Sequence, residues 1–184
     1  MASETAGIRL IAHDTLGSTN AEALALARAG EHGPLWVTAA CQSAGRGRRG
    51  NAWTSEPGNL YASLLLTDTV PAGRTPELCF VAALALHDAV SALSPALKPQ
   101  LKWPNDLLLD GAKFAGILIE AESVQGRSPA VAIGIGVNCA HHPRDLPYPA
   151  TDLAAHGVAA APVALLEKLS AVMQVRLAQW EAGF

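Results

Sequence analysis

The stretch LLLDGAKFAGILIEAE, residues 107–122, predicts a β-hairpin, and this hairpin decides the fold class. Its two apolar runs flank Asp110 and Gly111, a two-residue turn whose twist suits the strands that it joins. Further buried strands are predicted at residues 8–14, 34–42, 59–67, 101–103 and 130–138. Helices are predicted at residues 18–30, 75–93 and 162–180. Strands with interspersed helices and a hairpin predict an α+β fold, with helices packed on a mixed β-sheet.

The predicted helices carry end signals. Thr19 and Glu22 have the spacing of a capping box, and Gly30 is suited to stop the same helix. For the second helix, Thr75 is the predicted cap and Pro76 the first helical residue.

Composition excludes some classes of protein. Half of the 184 residues are hydrophobic, which suits one domain with a sizeable core. The apolar run at residues 78–86 falls well short of the roughly 20 residues that cross a membrane. The N-terminus has no signal-peptide pattern. The three cysteines have neither disulfide nor metal-ligand spacing, so we expect them to be buried and reduced. Reduced cysteines indicate a cytoplasmic protein.

An arginine loop, GRGRRGN at residues 45–51, joins two of the predicted strands. Its glycines allow backbone N–H groups to approach an anion, and its arginines suit phosphate or carboxylate oxygens. A solvated surface loop is the alternative, and a nucleic-acid patch is another. Since the net charge is −3 and the basic density is local, the composition favours a small anion over nucleic acid. The pattern is not a Walker loop.

The hairpin contains an unusual lysine. Alternation along a strand predicts one face with Lys113, Ala115, Ile117 and Ile119. It predicts the opposite face with Phe114, Gly116 and Leu118. Lys113 either extends to solvent at the sheet edge or projects into a cavity to meet a carboxylate or phosphate.

Three short motifs remain open to two readings each. In KWPND, residues 102–106, Asn105 and Asp106 either close a turn or point into a site. In GIGVN, residues 134–138, small residues either pack against a helix or leave a slot for a planar ligand. STN, residues 18–20, is most simply a helix cap, although a helix N-terminus also collects anions.

The order GSTN, QSAGRGRRGNAW, KWPNDLLLDGAKFAGILIE, GIGVN and a closing helix closely resembles the catalytic domain of bacterial biotin protein ligases. The resemblance implies one catalytic domain over residues 1–184, with a largely antiparallel, class II synthetase-like sheet. It also implies a two-step, ATP-dependent enzyme. Biotin and ATP form biotinyl-5′-AMP, and a lysine of the apo biotin carboxyl carrier protein of acetyl-CoA carboxylase then takes the biotinyl group.

The resemblance also assigns roles to residues. Lys113, Arg46 and Arg48 are the implied catalytic residues. The implied biotin contacts are Ser18, Thr19, Asn20, Gln42, Arg46, Gly47, Arg48, Lys113, Gly116, Gly134 and Gly136. The implied ATP contacts are Arg46, Arg48, Arg49, Trp53, Asn105, Asp106 and Asn138, with Asp106 also expected to contact Mg²⁺. The arginine loop is expected to be poorly ordered until it closes over the adenylate.

Partners and alternatives follow from the same resemblance. ATP, Mg²⁺ and biotin are expected, without a tightly bound prosthetic group, nucleic acid or membrane, and a homodimer is compatible with the family. Because the sequence shows no helix-turn-helix segment before Ile8 and ends at Phe184, we expect neither the family's DNA-binding domain nor its C-terminal domain. A lipoate–protein ligase and an adenylate-binding remnant with weak transfer are the alternative functions.

Overall fold

A computed structural model describes residues 3–124 and 128–183 of the chain. Its eight strands form one sheet in the order β1-β2-β3-β4-β8-β7-β6-β5. The strands are β1 (Ser3–Thr5), β2 (Ile8–Leu16), β3 (Leu35–Gln42), β4 (Leu60–Leu66), β5 (Gln100–Lys102), β6 (Asp106–Leu109), β7 (Ala112–Glu122) and β8 (Ala130–Val137). The helices are α1 (Thr19–Arg28), α2 (Leu78–Ser91) and α3 (Pro162–Glu181).

The sheet is mixed and largely antiparallel, which confirms the predicted fold class. Strands β2 and β3 run parallel, and the other neighbouring strands pair antiparallel. Strands β6 and β7 form the predicted hairpin. Its turn residues Asp110 and Gly111 have φ angles of 49° and 80°, the positive values that a tight two-residue turn requires.

Helices cover both faces of the sheet. The main core lies between one face and helices α2 and α3, where Trp36 Nε1 donates a 2.9 Å hydrogen bond to Ser170 Oγ on α3. On the other face, Ala23 and Ala27 of α1 pack on a smaller cluster that includes Ala132. Further along β8, this second face presents Gly134 and Gly136, next to the start of α1. A site with a small-residue floor therefore lies beside one helix N-terminus.

Two predicted helix caps are wrong. Ser18, not Thr19, is the N-cap of α1, and the Thr19 backbone N–H donates to Gln42 Oε1 instead of serving a capping box. Thr75 and Pro76 lie in a 3₁₀ segment, and α2 begins at Leu78. At α1 a long-range hydrogen bond to Gln42 replaces the predicted capping box, and before α2 a short 3₁₀ turn replaces the predicted first helical turn. Gly30, with φ of 96°, follows α1 as expected.

The predicted alternation along β7 is wrong at its start. Ala115 pairs with Leu107, whereas Lys113 pairs with the next residue, Leu108, so β7 contains an extra residue at this irregularity. An extra residue in one strand reverses the direction of the side chains that precede it. Lys113 therefore shares a face with Gly116, while Phe114 is buried in the main core with Ala115.

The cysteines are free, as expected, but they are less buried than expected. Cys139 is buried, whereas Cys41 and Cys79 are half-buried. Across the described ranges 3–124 and 128–183, no helix is both long and apolar enough to span a bilayer.

Candidate active site

One cavity of about 300 Å³ lies on the α1 side of the sheet. It brings together residues from α1, the arginine loop, the turn before β6, and strands β7 and β8. Of the predicted site residues, its lining contains Ser18, Thr19, Asn20, Gln42, Arg46, Gly47, Arg48, Arg49, Trp53, Asn105, Asp106, Lys113, Gly116, Gly134 and Gly136. Segments far apart in sequence therefore converge on one site.

The exception is Asn138. Its side chain is buried and donates through Nδ2 to the Thr151 carbonyl at 3.0 Å, and its backbone N–H donates to the Phe114 carbonyl. It lines a small neighbouring cavity with Trp53 and Lys113. Asn138 thus holds the 151–153 segment beside the site, and its predicted contact with ATP stays a prediction.

One end of the cavity is polar and uncharged. Gln42 Oε1 accepts hydrogen bonds from the backbone N–H of Thr19 at 2.8 Å and from its hydroxyl at 3.2 Å. Gln42 Nε2 donates to Ser55 Oγ at 2.9 Å. Ser63 Oγ lies 2.7 Å from Thr19 Oγ1 and donates to Asn20 Oδ1 at 2.6 Å. These hydrogen bonds fix the side chains in place, which prepares this end for a neutral polar group.

The middle of the cavity has a glycine floor, formed by Gly116, Gly134 and Gly136. Trp53 lies over two of these glycines. A Cβ on Gly136 would come within 2.7 Å of the Trp53 ring, and one on Gly116 within 3.1 Å. Over the third, a Cβ on Gly134 would come within 2.5 Å of Asn20 Oδ1. The floor therefore needs glycine because an indole and an amide already lie against its backbone.

The other end of the cavity is cationic. Lys113 Nζ lies 2.6 Å from Asp106 Oδ1, and the two side chains are 16% and 22% exposed. The ammonium also lies 5.4 Å from the Trp53 ring centre and 5.5 Å from that of Tyr148. Lys113 is thus turned into the cavity and does not extend to solvent at the sheet edge. The extra residue in β7 causes this orientation.

The arginine loop is fastened to β7 at two points. Arg46 Nη2 lies 3.2 Å from both carboxylate oxygens of Glu120. Arg48 Nη1 donates to Asn105 Oδ1 at 3.1 Å, and Asn105 Nδ2 donates in turn to the Ile117 carbonyl at 2.8 Å. Both arginines therefore line the cavity through these contacts, although their side chains remain exposed.

Backbone hydrogen bonds shape the arginine loop itself. The Gly47 N–H donates to the Asn51 carbonyl at 2.7 Å, and the Trp53 N–H donates to the Gly45 carbonyl at 2.9 Å. Arg49 has φ of 58°, a left-handed conformation that is costly for a residue with a side chain. The loop combines few internal bonds with a strained residue, so its tertiary contacts contribute much of its order.

Burial alters two titratable groups near the cavity. Burial raises the pKa of Tyr61 to about 12, and the Tyr61 hydroxyl donates to the Glu56 carbonyl at 2.8 Å. Burial also raises the pKa of Cys79, although the nearby charge of Arg48 opposes the shift. Both groups are protonated near neutral pH, so neither adds a negative charge beside the arginines.

The profile of the biotin/lipoate A/B protein ligase family matches residues 15–138, a range that contains every cavity-lining segment except Tyr148. The chain belongs to this family. This family includes the biotin protein ligases that the short motifs resemble.

Relatives in this ligase family include enzymes of known name. Biotin–[acetyl-CoA-carboxylase] ligase of Paracoccus denitrificans is 51% identical over 127 residues, 68% of this chain and 52% of the relative. The bifunctional ligase/repressor BirA of Bacillus subtilis is 38% identical over 152 residues, 82% of this chain and 46% of the relative. The chain spans about half the length of these curated relatives.

Solved structures of biotin protein ligases share the fold. The Leishmania major enzyme in complex with biotinyl-5-AMP has a TM-score of 0.77 at 28% identity, covering 92% of this chain and 75% of that protein. The Aquifex aeolicus enzyme in complex with biotin and ATP has a TM-score of 0.80 at 26% identity, and the match covers 95% of this chain and 72% of that protein.

Sequence reasoning missed several residues of this ligase-family site. Glu120 and Glu122 are expected to share a strand face, but the sequence marks neither as part of a site. Ser63 and Tyr61 lie in an apolar strand whose pattern gives no sign of a site. Tyr148 comes from a proline-rich segment, a composition that is typical of a surface loop. Alternation in β4 was the available signal, because it places Tyr61 and Ser63 on one face, opposite Gly136 and Gly134.

The cavity offers little to hold a metal ion by itself. Within residues 3–124 and 128–183, no group of three or more His, Cys, Asp or Glu side chains could hold a metal ion. Asp106 is the carboxylate that lines the cationic end, and Lys113 already contacts it. Such a site fits a Mg²⁺ ion that shares its ligands with substrate phosphates, since Mg²⁺ usually binds through one or two carboxylates plus phosphate and water.

Proposed function

We propose that this chain condenses biotin with ATP to biotinyl-5′-AMP and pyrophosphate. We propose that it then transfers the biotinyl group to a lysine of the biotin carboxyl carrier protein of acetyl-CoA carboxylase, in the cytoplasm. In the first step a biotin carboxylate oxygen bonds to the α-phosphorus of ATP and pyrophosphate leaves. In the second step the lysine amine attacks the acyl carbon, AMP leaves, and the amine loses a proton.

The observation that carries this proposal is the difference in polarity between the two ends of this cavity. Its neutral end, at Thr19 and Gln42, presents the donors and acceptors that suit a cyclic urea. Its cationic end, at Lys113 and Arg48, suits a carboxylate beside a phosphate. Between these ends lies the glycine floor, and the slender apolar chain of biotin is proposed to lie there beside Trp53. Biotin has these parts in this order, from its ureido ring to its carboxylate.

The cations address the main electrostatic barrier of the first step. A carboxylate and a triphosphate repel each other, and negative charge builds on the α-phosphate as the new bond forms. Positioned cations stabilise such charge more in the transition state than in the ground state. Lys113, Arg46 and Arg48 are proposed for this role. Asp106 and Asn105 would hold Mg²⁺, which would supply further charge neutralisation on the phosphates.

The arginine loop is proposed to protect the product. A mixed anhydride is hydrolysed when water reaches it, so the site must exclude water between the two steps. Trp53 lies over the glycine floor, and the loop is joined to it by the Trp53–Gly45 backbone hydrogen bond. Closure of the loop and the indole over the adenylate would exclude water. Arg49 and Asn138 are proposed to lie on the nucleotide side of this enclosure.

Biotin is favoured over lipoate as the acid. The ring of lipoate is a dithiolane, which has neither N–H donors nor a carbonyl acceptor, so it would form none of the hydrogen bonds that a ureido ring can form with this polar end. A site that hydrogen-bonds one substrate discriminates strongly against an analogue that lacks the polar groups. The similarity to proteins named biotin ligases supports the same choice.

The proposal is tested by labelling an acceptor. The chain is incubated with ATP, Mg²⁺ and a biotin carboxyl carrier domain, together with either biotin or lipoate. The expected result is ATP-dependent biotinylation of one lysine and at least about a hundredfold slower lipoylation. Preferential lipoylation would favour the lipoate ligase, and pyrophosphate release without labelling would favour the adenylate-binding remnant.

A further inference from the structure

Glu120 connects the arginine loop to helix α1. Its carboxylate accepts a 2.8 Å hydrogen bond from Asn20 Nδ2 and lies 3.2 Å from Arg46 Nη2 through each oxygen. These contacts span 100 and 74 residues of sequence. The Glu120 side chain is 29% exposed and that of Arg46 is 43% exposed, so solvent screens the ion pair and its effect is modest. One carboxylate therefore holds two residues that line the cavity from different segments.

The contact with Glu120 also fixes the orientation of the Asn20 amide. Asn20 Nδ2 donates to the Leu118 carbonyl at 3.2 Å as well as to Glu120, while its Oδ1 accepts from Ser63 at 2.6 Å. Oδ1 consequently faces the polar end of the cavity, over Gly134. A continuous hydrogen-bonded chain runs from Arg46 through Glu120 and Asn20 to the groups that surround Gln42.

Glu122 shows what an ordinary carboxylate on the same strand face does. It pairs with Arg28 at 2.6 Å, and these two side chains are 39% and 52% exposed. Neither residue lines the cavity. Glu120 and Glu122 thus match in type and strand face but differ in what they hold, which makes Glu122 a matched control.

We propose that Glu120 is a positioning residue of the adenylation site, which sets the resting place of Arg46 and the orientation of Asn20. The inference rests on the proposed function. Arg46 reaches Glu120 through Nη2, and a guanidinium has five N–H donors, so others remain for the ligand. Glu120 lies four residues from Gly116 on β7, about 13 Å along the strand. Its own charge is therefore kept away from the cationic end.

The test compares Glu120→Gln with Glu122→Gln in the intact chain. Four quantities are measured: the release rate of biotinyl-5′-AMP, the KM for biotin, the kcat of adenylation, and amide exchange in residues 45–51. For Glu120→Gln we expect release and KM to rise three- to tenfold, kcat to stay within about twofold, and the loop to exchange faster. Glu120→Asp, which keeps the charge, should recover part of the loss.

Two results would overturn the inference. One is a Glu120→Gln protein that equals Glu122→Gln in release and exchange, and the other is a loss of kcat with KM unchanged. If Glu120→Gln folds poorly, Glu120→Asp is measured in its place against Glu122→Asp. The shorter side chain should move the carboxylate away from Arg46 and Asn20, so release should be faster in Glu120→Asp, and equal release in the two variants would contradict the proposal. A wild-type chain that retains no adenylate would contradict the proposed function itself, whereas normal retention with unaffected variants contradicts this inference alone.

Discussion

Substituting Gly136 by alanine should displace Trp53 and open the site. The added Cβ would lie 2.7 Å from Trp53 Cε2 and 2.8 Å from Cζ2 and Nε1. Non-bonded carbon atoms prefer about 3.5–4.0 Å, so the ring must retreat by roughly 0.8 Å or more. Overpacking of this kind costs about 1–3 kcal/mol. Because the Trp53 backbone N–H donates a hydrogen bond to the Gly45 carbonyl, movement of the ring would shift the arginine loop as well.

Alanine substitutions at Gly116 and Gly73 serve as controls for Gly136→Ala. At Gly116 a Cβ would meet Trp53 at 3.1 Å and the Lys113 side chain at 3.4 Å, which adjustments of a few tenths of an ångström relieve. At Gly73 a Cβ would meet nothing within 4 Å. We expect biotin affinity, measured by calorimetric titration, to fall roughly tenfold or more for Gly136→Ala, less for Gly116→Ala and not at all for Gly73→Ala. Wild-type affinity in Gly136→Ala would refute the role of the Trp53–floor contact.

Four further predictions concern the loop, the lysine and a buried thiol. Lys113→Ala should slow adenylate formation by about 10²–10³ while thermal unfolding stays cooperative, and a near-normal rate would contradict its assignment. Arg48→Ala, and less severely Arg46→Ala, should speed the escape of biotinyl-5′-AMP from a preformed complex; unchanged dissociation would show that the loop does not retain it. Amide exchange in residues 45–51 should slow on adding biotinyl-5′-AMP, because charge-assisted hydrogen bonds of about 1.5–3 kcal/mol each then offset the cost of ordering; equal protection with and without ligand would identify a rigid loop. Since burial raises the pKa of Cys139 to about 11, its thiolate is scarce at pH 8, and iodoacetamide should label it in urea but not in the native protein, with labelling increasing as the pH rises toward 11. Rapid native labelling at pH 8 would contradict the burial.

Local patterns predicted the elements that local interactions determine. The Asp110–Gly111 turn was predictable because two residues with positive φ suffice to close a hairpin. The extra residue in β7 was not, because the pairing of Leu107 and Leu108 with the opposite strand depends on how the whole sheet packs. That irregularity decides the direction of Lys113. The residue was correctly singled out, but the face assigned to it was wrong.

The site was predictable as a set of residues but not as a set of contacts. Motif order drew attention to Arg46, Arg48 and Asn105, and all three line the cavity. The pairing of Arg46 with Glu120 joins residues 74 positions apart, which no short pattern encodes. Likewise, the small residues of GIGVN were compatible with packing against a helix or with a slot for a planar ligand. In the structure, the group that lies against Gly136 is the chain's own Trp53.

The most direct test of the account is the identity of the molecule that the native chain retains after incubation with ATP, Mg²⁺ and an equimolar mixture of biotin and lipoate. Gel filtration removes free ligand, and mass spectrometry identifies what remains bound. The account predicts biotinyl-5′-AMP on the wild-type chain and its loss in Lys113→Ala. Retention of lipoyl-AMP, or of no adenylate at all, would contradict the claim that this cavity activates biotin.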